Sequence, residues 1–350
     1  MNAGSDRGIS RQKAPDGQGG RRSRPFLPVW WRRKSVRGRI RVRDTGIRPH
    51  GGGMGGGRSG MLFEQLLNGI TVGSTYALIA VGYTLIFGVL GMINMAHGQI
   101  FIFAALTAIV TMSAFGWPLL PAFFVSVACA AVLGALLEAV AFRPLRKKDV
   151  PHLAPLISTI GFATILDDAM IKLFGADSRV VPGKLGGSFS VGGVDVRTVD
   201  LAILVAALGL MALLHLWIQK TPFGKAIRAT SESPETAAIL GIPTDRVILA
   251  TVVLASGLGG VAGLLLGLSY GAVAPSMGVG LGFKGLAVLV LGGLGSLPGA
   301  MLGGLLLGVV EVLAVAYGSS TYRDAIAFLM IILVFLVRPQ GLFGETPVQR

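Results

Sequence analysis

Apolar stretches of about 20 residues recur along this chain of 350 residues, and each is about as long as a helix that spans the hydrocarbon core of a bilayer. Hydrophobic residues make up 52% of the sequence and charged residues only 14%, whereas a soluble domain carries about a quarter charged residues. A soluble core of this size cannot hide so much apolar surface, and lipid is the alternative solvent. The sequence therefore predicts an all-α fold, a polytopic transmembrane helical bundle.

Eight long apolar segments and two short segments broken by glycine follow Met61. The long segments cover residues 64–82, 97–115, 118–142, 153–174, 199–217, 247–270, 298–317 and 324–337. The short segments, residues 83–93 and 283–294, cannot cross a bilayer unaided at about 1.5 Å of rise per residue. Eight crossings and ten crossings are both open at this point.

Basic residues in short loops indicate which loops face the cytoplasm. Such residues cluster at three places: Arg143, Arg146, Lys147 and Lys148; Lys220, Lys225, Arg228 and Arg246; and Arg338. The loop over residues 175–200 mixes acids with bases and can face outward. If both short segments cross the membrane, every basic cluster lies inside and so does Met61, which favours ten crossings over eight.

The chain's net charge of +14 belongs almost entirely to residues 1–60, which hold 15 of the 31 Lys and Arg and 3 of the 17 Asp and Glu. Such a composition predicts a disordered basic tail. An overextended gene start, with Met61 as initiator, is a plainer hypothesis than a tail that binds anionic lipid or nucleic acid, and no nucleic-acid partner is expected. Residues 61–345 form the predicted membrane domain, and residues 346–350 a cytoplasmic C-terminal tail.

The sequence gives little support to an enzyme, because it contains neither a complete phosphate-binding loop nor a His-Glu-x-x-His zinc motif. Gly183-Lys184 and Gly224-Lys225 lack the Ser or Thr that completes a phosphate-binding loop. The four histidines are scattered, and the single cysteine, Cys129, excludes internal disulfides and cysteine-based zinc clusters. No catalytic residue, metal ligand or cofactor is predicted in this chain. If ATP drives its function, another subunit hydrolyses that ATP.

Polar residues interrupt a strongly apolar region at Asn94, His97 and Gln99. Polar groups at membrane depth are expensive unless they are partnered or face water, so these three are candidates for a translocation pathway. Asn94 can instead cap the helix that opens near His97. His97 can equally be a structural hydrogen-bonding residue.

The loop over residues 220–246 contains a predicted amphipathic helix at residues 234–240. Ser233-Pro234-Glu235 is typical of a helix start, and Gly241 of a helix end. The helix could lie on lipid or place an apolar face in the groove of a partner. Candidate coupling residues in and beside this helix are Gly224, Arg228, Glu235, Ala238 and Gly241.

Small residues recur every fourth position at Gly259, Gly263, Gly267 and Gly271. This spacing predicts one continuous stripe for close helix packing, with a moving helix contact as the alternative.

Four intramembrane acids could be proton carriers or polar contacts between helices: Glu138, Asp167, Asp168 and Glu311. Glu138 can simply reach the interface, and Lys284 is expected to extend its ammonium group to the membrane surface.

Several ordered stretches carry a family resemblance. They are residues 68–78 (NGITVGSTYAL), 91–99 (GMINMAHGQ), 142–146 (FRPLR), 240–242 (LGI) with Asp245-Arg246, and 291–300 (LGGLGSLPGA). Over about residues 61–345 the chain resembles the permeases of branched-chain amino acid ABC importers, of the high-affinity leucine, isoleucine and valine type, and among these the first permease subunit.

The resemblance implies a pathway subunit of an ATP-driven importer in a bacterial inner membrane. The implied partners are a second, homologous permease, two cytoplasmic ATPases that hold ATP and Mg, and a periplasmic substrate-binding protein. It also implies that the element from Gly224 to Gly241 docks on an ATPase. Gln99 departs from the family pattern, because relatives often carry an acid there. Another amino acid, urea or a short amide is an alternative substrate, and an ion-coupled secondary transporter is a distant alternative.

Overall fold

The computed structural model describes residues 58–146, 148, 151, 153–182, 187–191, 194–338 and 340–344. Within these residues, seven helices are long and apolar enough to cross a membrane. This confirms the polytopic helical bundle expected from composition. The predicted tails over residues 1–60 and 346–350 lie outside the described residues, apart from residues 58–60 at the start of the first helix.

Twelve α-helices account for most of the described chain. They are α1 (Arg58–Leu90), α2 (His97–Phe115), α3 (Leu119–Leu137), α4 (Arg143–Arg146), α5 (Ala154–Phe174), α6 (Thr198–Lys220), α7 (Pro222–Glu232), α8 (Pro234–Ile239), α9 (Thr244–Tyr270), α10 (Met277–Gly292), α11 (Leu297–Tyr317) and α12 (Arg323–Val337). A π-helical turn over Glu138–Phe142 joins α3 to α4. Two small antiparallel sheets pair β1 (Arg179–Val180) with β4 (Ala272–Val273), and β2 (Ser188–Val191) with β3 (Val194–Arg197).

The first short segment expected from the sequence, residues 83–93, is wrong as a separate helix. α1 continues through Gly82 and Gly88 to Leu90, and it ends only where Gly91 adopts a φ of +63°. A glycine inside a helix costs about 1 kcal/mol relative to alanine, which is small against the packing of α1 on α9 and α11. The glycines in this part of the sequence therefore do not interrupt α1, although they predicted an interruption.

The continuity of α1 also corrects the expected position of Met61. The C-terminal part of α1 lines a cavity with Ile227, Arg228 and Leu294, at the end of the bundle that carries the basic clusters. The N-terminal part lines another cavity with Arg197 and Arg323, at the opposite end. We call these the basic end and the opposite end. Met61 lies toward the opposite end, not on the side of the basic loops.

The second short segment is present as α10, which spans Met277–Gly292 rather than residues 283–294. Gly293, with a φ of +104°, ends the helix. Because α10 begins six residues earlier than expected, Lys284 lies in its middle and is only 6% exposed. The expectation that Lys284 reaches the membrane surface is therefore wrong.

Close helix packing in the centre of the bundle depends on glycine. α1 crosses α11 where a Cβ on Gly73 would lie 2.8 Å from Cα of Leu305, and Gly304 and Gly308 meet α1 in the same way. In contrast, α3, α5 and α6 expose large apolar side chains along their outer faces, such as Val132, Ile165 and Leu213. These faces are suited to lipid or to a neighbouring chain.

Candidate functional site

The chain reverses direction inside the bundle between α1 and α2. α2 begins beside Gly82 rather than beyond Leu90. The evidence is the position of His97, the first residue of α2, whose Nε2 would lie 2.5 Å from a Cβ on Gly82. The chain has therefore turned back from Leu90 by about 12 Å, at about 1.5 Å per helical residue. Irregular backbone at membrane depth is tolerated only where protein or a water-filled cavity surrounds it. The polar segment predicted from the sequence thus lies at the reversal.

Buried side chains satisfy backbone groups of this reversal. Oδ1 of Asn94 accepts a hydrogen bond from the N–H of Ala96 (3.0 Å), and Oγ1 of Thr159 on α5 accepts one from the N–H of Met95 (3.2 Å). Asn94 and Thr159 are both buried. The Asn94 bond is the local turn that asparagine favours before a helix, although Ala96 is the N-cap residue.

His97 is fully buried between α1, α2 and α9. Its ring meets the Tyr83 ring edge-on, with centroids 4.7 Å apart, and a Cβ on Gly259 would lie 3.2 Å from its Cε1. The backbone of Ile79 is close to the ring, but neither ring nitrogen makes a hydrogen bond of normal geometry with the described residues. In this conformation His97 is a packing residue at the reversal.

Gln99 lines a cavity of about 260 Å³ between α1, α2, α5 and α10. Tyr83 and Asp167 line the same cavity. The Gln99 Oε1, the Tyr83 hydroxyl and the Asp167 Oδ1 are all buried and have no hydrogen-bond partner of normal geometry among the described residues. Buried polar atoms normally have partners, so three unpaired atoms on residues that line one cavity make it a candidate site for water or a ligand. We call it the Tyr83–Asp167 cavity.

Two larger cavities lie nearer the ends of the bundle. One, of about 620 Å³, opens at the basic end between α1, α6 and α7. The other, of about 600 Å³, lies at the opposite end around Asn68, Arg197 and Tyr270. Their size alone does not mark a binding site, and the unpaired buried atoms of Tyr83, Gln99 and Asp167 lie in the smaller central cavity.

Three of the four stripe glycines lie in contact with other elements. Gly259 faces His97 and Phe101, Gly263 faces the Phe101 carbonyl, and a Cβ on Gly267 would lie 3.1 Å from Val273. The fourth, Gly271, does not belong to a continuous stripe. It is the C-cap of α9 with a φ of +76° and no atom within 4 Å of a Cβ. The prediction that Gly271 belongs to the packing stripe, which rested on its spacing, is therefore wrong, because Gly271 ends the helix.

α7 lies against the end of α6 at the basic end. Oγ1 of Thr221 accepts a hydrogen bond from the N–H of Gly224 (3.1 Å) and caps α7. A Cβ on Gly224 would lie 2.5 Å from Cα of Ile218, so a side chain does not fit there. Nη2 of Arg228 donates to the Gln219 carbonyl (3.3 Å) at the end of α6. Gly224 and Arg228 thus join α7 to a long helix of the bundle.

The helix expected to start at Pro234 is present as α8. Oγ of Ser233 accepts a hydrogen bond from the N–H of Thr236 (3.2 Å), and Gly241 ends the segment with a φ of +84°. Ala237 is buried, whereas Glu235, Ala238 and Gly241 are exposed. The side chains of Ile239 and Leu240 protrude, with exposed fractions of 85% and 75%. α8 therefore presents an apolar tip at the basic end.

Two of the four intramembrane acids are held in ion pairs. Glu138 is 3% exposed and lies 3.1 Å from Nη2 of Arg146, which also contacts Asp245, so it is paired at the basic end of the bundle. Glu311 is fully buried and binds Lys284 (3.0 Å) and Arg323. Asp167 and Asp168 have no ion-pair partner in the part of the chain that the structure describes.

A polytopic bundle with irregular polar backbone at its centre and a protruding apolar helix at its basic end suits a subunit of a membrane transport complex. A family model described as "Branched-chain amino acid transport system / permease component" matches residues 65–335. The chain belongs to this family of ABC importer permeases, and it is a multi-pass membrane protein.

The similar proteins cover most of this chain. The high-affinity branched-chain amino acid transport system permease protein BraD of Pseudomonas aeruginosa is 40% identical, over 82% of this chain and 97% of its own length. The corresponding protein LivH of Escherichia coli is 38% identical over the same shares. The probable branched-chain amino acid transport permease protein LivH of Methanocaldococcus jannaschii is 28% identical, over 80% of this chain and 92% of its own length.

The sequence indicated Gln99 as a pathway candidate and left Asp167 open as a proton carrier or a polar contact between helices, but it did not single out Tyr83. Tyr83 belonged to the segment that was predicted as a separate short helix. An available signal was Asp167 itself, a carboxylate inside an apolar span whose helical neighbours three and four positions further on, Met170 and Ile171, carry no charge. The spatial meeting of α1, α2 and α5 could not be read from local spacing.

Proposed function

We propose that this chain forms the translocation pathway of an ATP-driven importer for branched-chain amino acids in a bacterial inner membrane. The observation that carries the proposal is the identity of 38–40%, over nearly the full length of the relatives, to permeases named for high-affinity transport of these amino acids. The partners we propose are a second, homologous permease, two cytoplasmic ATPases that bind ATP and Mg, and a periplasmic substrate-binding protein.

The geometry of α7 and α8 supports an ATPase docking role. Arg228 and Gly224 join this element to the end of α6, while Ile239 and Leu240 protrude from it. Two apolar side chains in water cost free energy that a partner groove can recover, at about 1.5–3 kcal/mol for each fully buried side chain. Movement of the docked ATPases would then be transmitted through α7 to α6 and the bundle.

Two of the four intramembrane acids do not suit an ion-coupled transporter, because Glu138 and Glu311 are paired with basic side chains and a carrier carboxylate has to be free to load and release its ion. Asp167 and Asp168 have no ion-pair partner among the described residues, so uptake by the isolated chain is the measurement that separates the two functions.

The test is uptake into proteoliposomes that contain the chain with its second permease and ATPases, with ATP inside and loaded binding protein outside. We expect uptake of labelled leucine, isoleucine or valine that requires both ATP and the binding protein. Glutamate and urea serve as substrate controls. Leucine uptake by the isolated chain, driven by a proton gradient, would contradict the proposal.

A further inference from the structure

The face of α5 beside the Tyr83–Asp167 cavity is polar within a membrane span. Thr164 and Asp168 are exposed, and Asp167 is half-buried, whereas the same face carries the exposed apolar side chain of Ile157 nearer the start of the helix. A carboxylate that faces lipid costs several kcal/mol. Water or another protein chain therefore covers this part of α5, where the exposed Thr164 also lines the cavity.

The polar atoms around the cavity favour a cation. The Asp167 carboxylate and the Gln99 amide oxygen only accept hydrogen bonds, and the Tyr83 hydroxyl can accept one as well. Lys and Arg side chains neutralise Glu311 and Glu138, but none among the described residues pairs with Asp167. The cavity thus offers one uncompensated negative charge and several acceptors, which suits a positively charged group with several N–H donors.

The rest of the cavity wall is apolar. Ile160, Ala163, Val279 and Phe283 line it around the three polar groups. Its volume of about 260 Å³ lies just below the usual range of about 300–1,000 Å³ for pockets that hold drug-sized ligands. The ammonium group and the aliphatic side chain of an amino acid match these two parts of the lining, and its α-carboxylate would face the open side of the cavity, away from the Asp167 carboxylate.

We infer that the Tyr83–Asp167 cavity holds the ammonium group of the amino acid during its passage, with Asp167 as the counter-charge and Tyr83 and Gln99 as hydrogen-bond acceptors. The inference rests on the proposed function for the identity of the ligand. It assigns to the permease a binding step of its own, separate from capture by the periplasmic protein. Three acceptors match the three donors of a primary ammonium group.

The first experiment probes the cavity without transport. Cys129→Ala removes the single cysteine, and Thr164→Cys places a thiol at the cavity. We expect 2-aminoethyl methanethiosulfonate, a cation, to label this thiol about tenfold faster than the anionic 2-sulfonatoethyl reagent, after correction for their rates with a free thiol. Asp167→Asn should abolish the preference, and Asp168→Asn should leave most of it. Absence of labelling, or a preference unchanged by Asp167→Asn, would overturn the inference.

The second experiment measures turnover in the complete importer. Asp167→Asn should lower leucine uptake by about tenfold, which corresponds to about 1.4 kcal/mol, while ATP hydrolysis stimulated by loaded binding protein persists. Asp167→Glu keeps the charge and should retain more uptake than Asp167→Asn. Tyr83→Phe, which removes only the hydroxyl, should lower uptake without loss of assembled complex. Wild-type uptake in both Asp167→Asn and Tyr83→Phe would contradict the inference.

The two experiments separate this inference from the proposed function. If the chain imports a different substrate, branched-chain uptake fails in the unsubstituted complex, while charge-selective labelling at residue 164 still reports the cavity. If the proposed function holds and the inference is wrong, the unsubstituted complex imports leucine and neither labelling nor uptake depends on Asp167.

Discussion

Nζ of Lys284 on α10 lies 3.0 Å from Oε1 of Glu311 on α11, and both side chains are buried. Arg323 also donates to Glu311, and Lys284 pairs with Asp324 at 2.8 Å. The Tyr76 hydroxyl on α1 donates to the same carboxylate at 3.1 Å. These contacts connect the short helix α10 to α1, α11 and α12 without leaving a net charge inside the bundle.

Removing Glu311 should destabilise the protein strongly. Glu311→Gln leaves Lys284 and Arg323 without their shared carboxylate, and removal of one partner of a buried pair costs about 3–5 kcal/mol. We expect a lower midpoint of thermal unfolding in detergent, which tryptophan fluorescence measures.

Asp324→Asn is the matched control, because the Asp324 side chain is 72% exposed and exposed pairs contribute about 0–1 kcal/mol. An equal fall in the unfolding midpoint for both variants would show that burial does not determine the strength of this network.

Close approach of α2 and α10 gives a second prediction. A Cβ on Gly98 would lie 2.7 Å from Cα of Gly282 and would also meet the Gly278 carbonyl. Gly98→Ala therefore forces two backbones apart, and overpacking of this kind costs about 1–3 kcal/mol. The fraction of protein that stays monodisperse after heating, measured by size-exclusion chromatography, should fall.

Gly88→Ala is the control for this substitution. Gly88 lies in α1 with no atom within 4 Å of a Cβ, so alanine should be neutral or stabilising by up to about 1 kcal/mol. Equal losses for Gly88→Ala and Gly98→Ala would mean that helix geometry, not contact between α2 and α10, limits stability.

Features set by local chemistry could be predicted from the sequence. The apolar spans follow from composition and length. The start of α8 follows from Ser233 and Pro234, and its end from Gly241, since caps and positive-φ glycines act within a few residues. Gly259 and Gly263 could be placed in a packed interface because small residues at this spacing let helices approach.

Features that depend on contacts distant in sequence could not be predicted. The pairing of Lys284 with Glu311 joins two helices, and hydropathy cannot indicate that a lysine in a short apolar helix is neutralised inside the bundle. The continuity of α1 past Gly82 depends on α9 and α11. The meeting of Gln99 with Asp167 requires α2 and α5 to be neighbours, which no local periodicity specifies.

The contact of His97 with Gly82 predicts a coupled pair of substitutions. Gly82→Ala alone places a methyl group 2.5 Å from Nε2 of a buried ring and should destabilise the protein by about 1–3 kcal/mol. His97→Ala alone leaves a cavity and should cost about 2–5 kcal/mol. In the double variant the methyl group occupies part of that cavity, so the total cost should be smaller than the sum.

A double-mutant cycle from unfolding midpoints measures this coupling, which reaches about 0.5–3 kcal/mol for residues in contact. Additive losses would contradict the packing role that the structure gives to His97. Gly259→Ala provides a second cycle with the same ring, because its Cβ would lie 3.2 Å from Cε1 of His97, and its coupling should be weaker.

The apolar tip of α8 gives the last prediction, which rests on the proposed docking of an ATPase. Leu240→Asp places a charge where a partner groove would take an aliphatic side chain, and loss of one buried leucine corresponds to about 1.5–3 kcal/mol. We expect leucine uptake per ATP hydrolysed to fall by about tenfold or more, with membrane insertion and α8 itself intact, because Leu240 is 75% exposed. Glu235→Gln, also exposed, should leave the ratio within about twofold, since an exposed charge contributes little. If α8 only lies on lipid, Leu240→Asp leaves the ratio unchanged and the docking role is wrong.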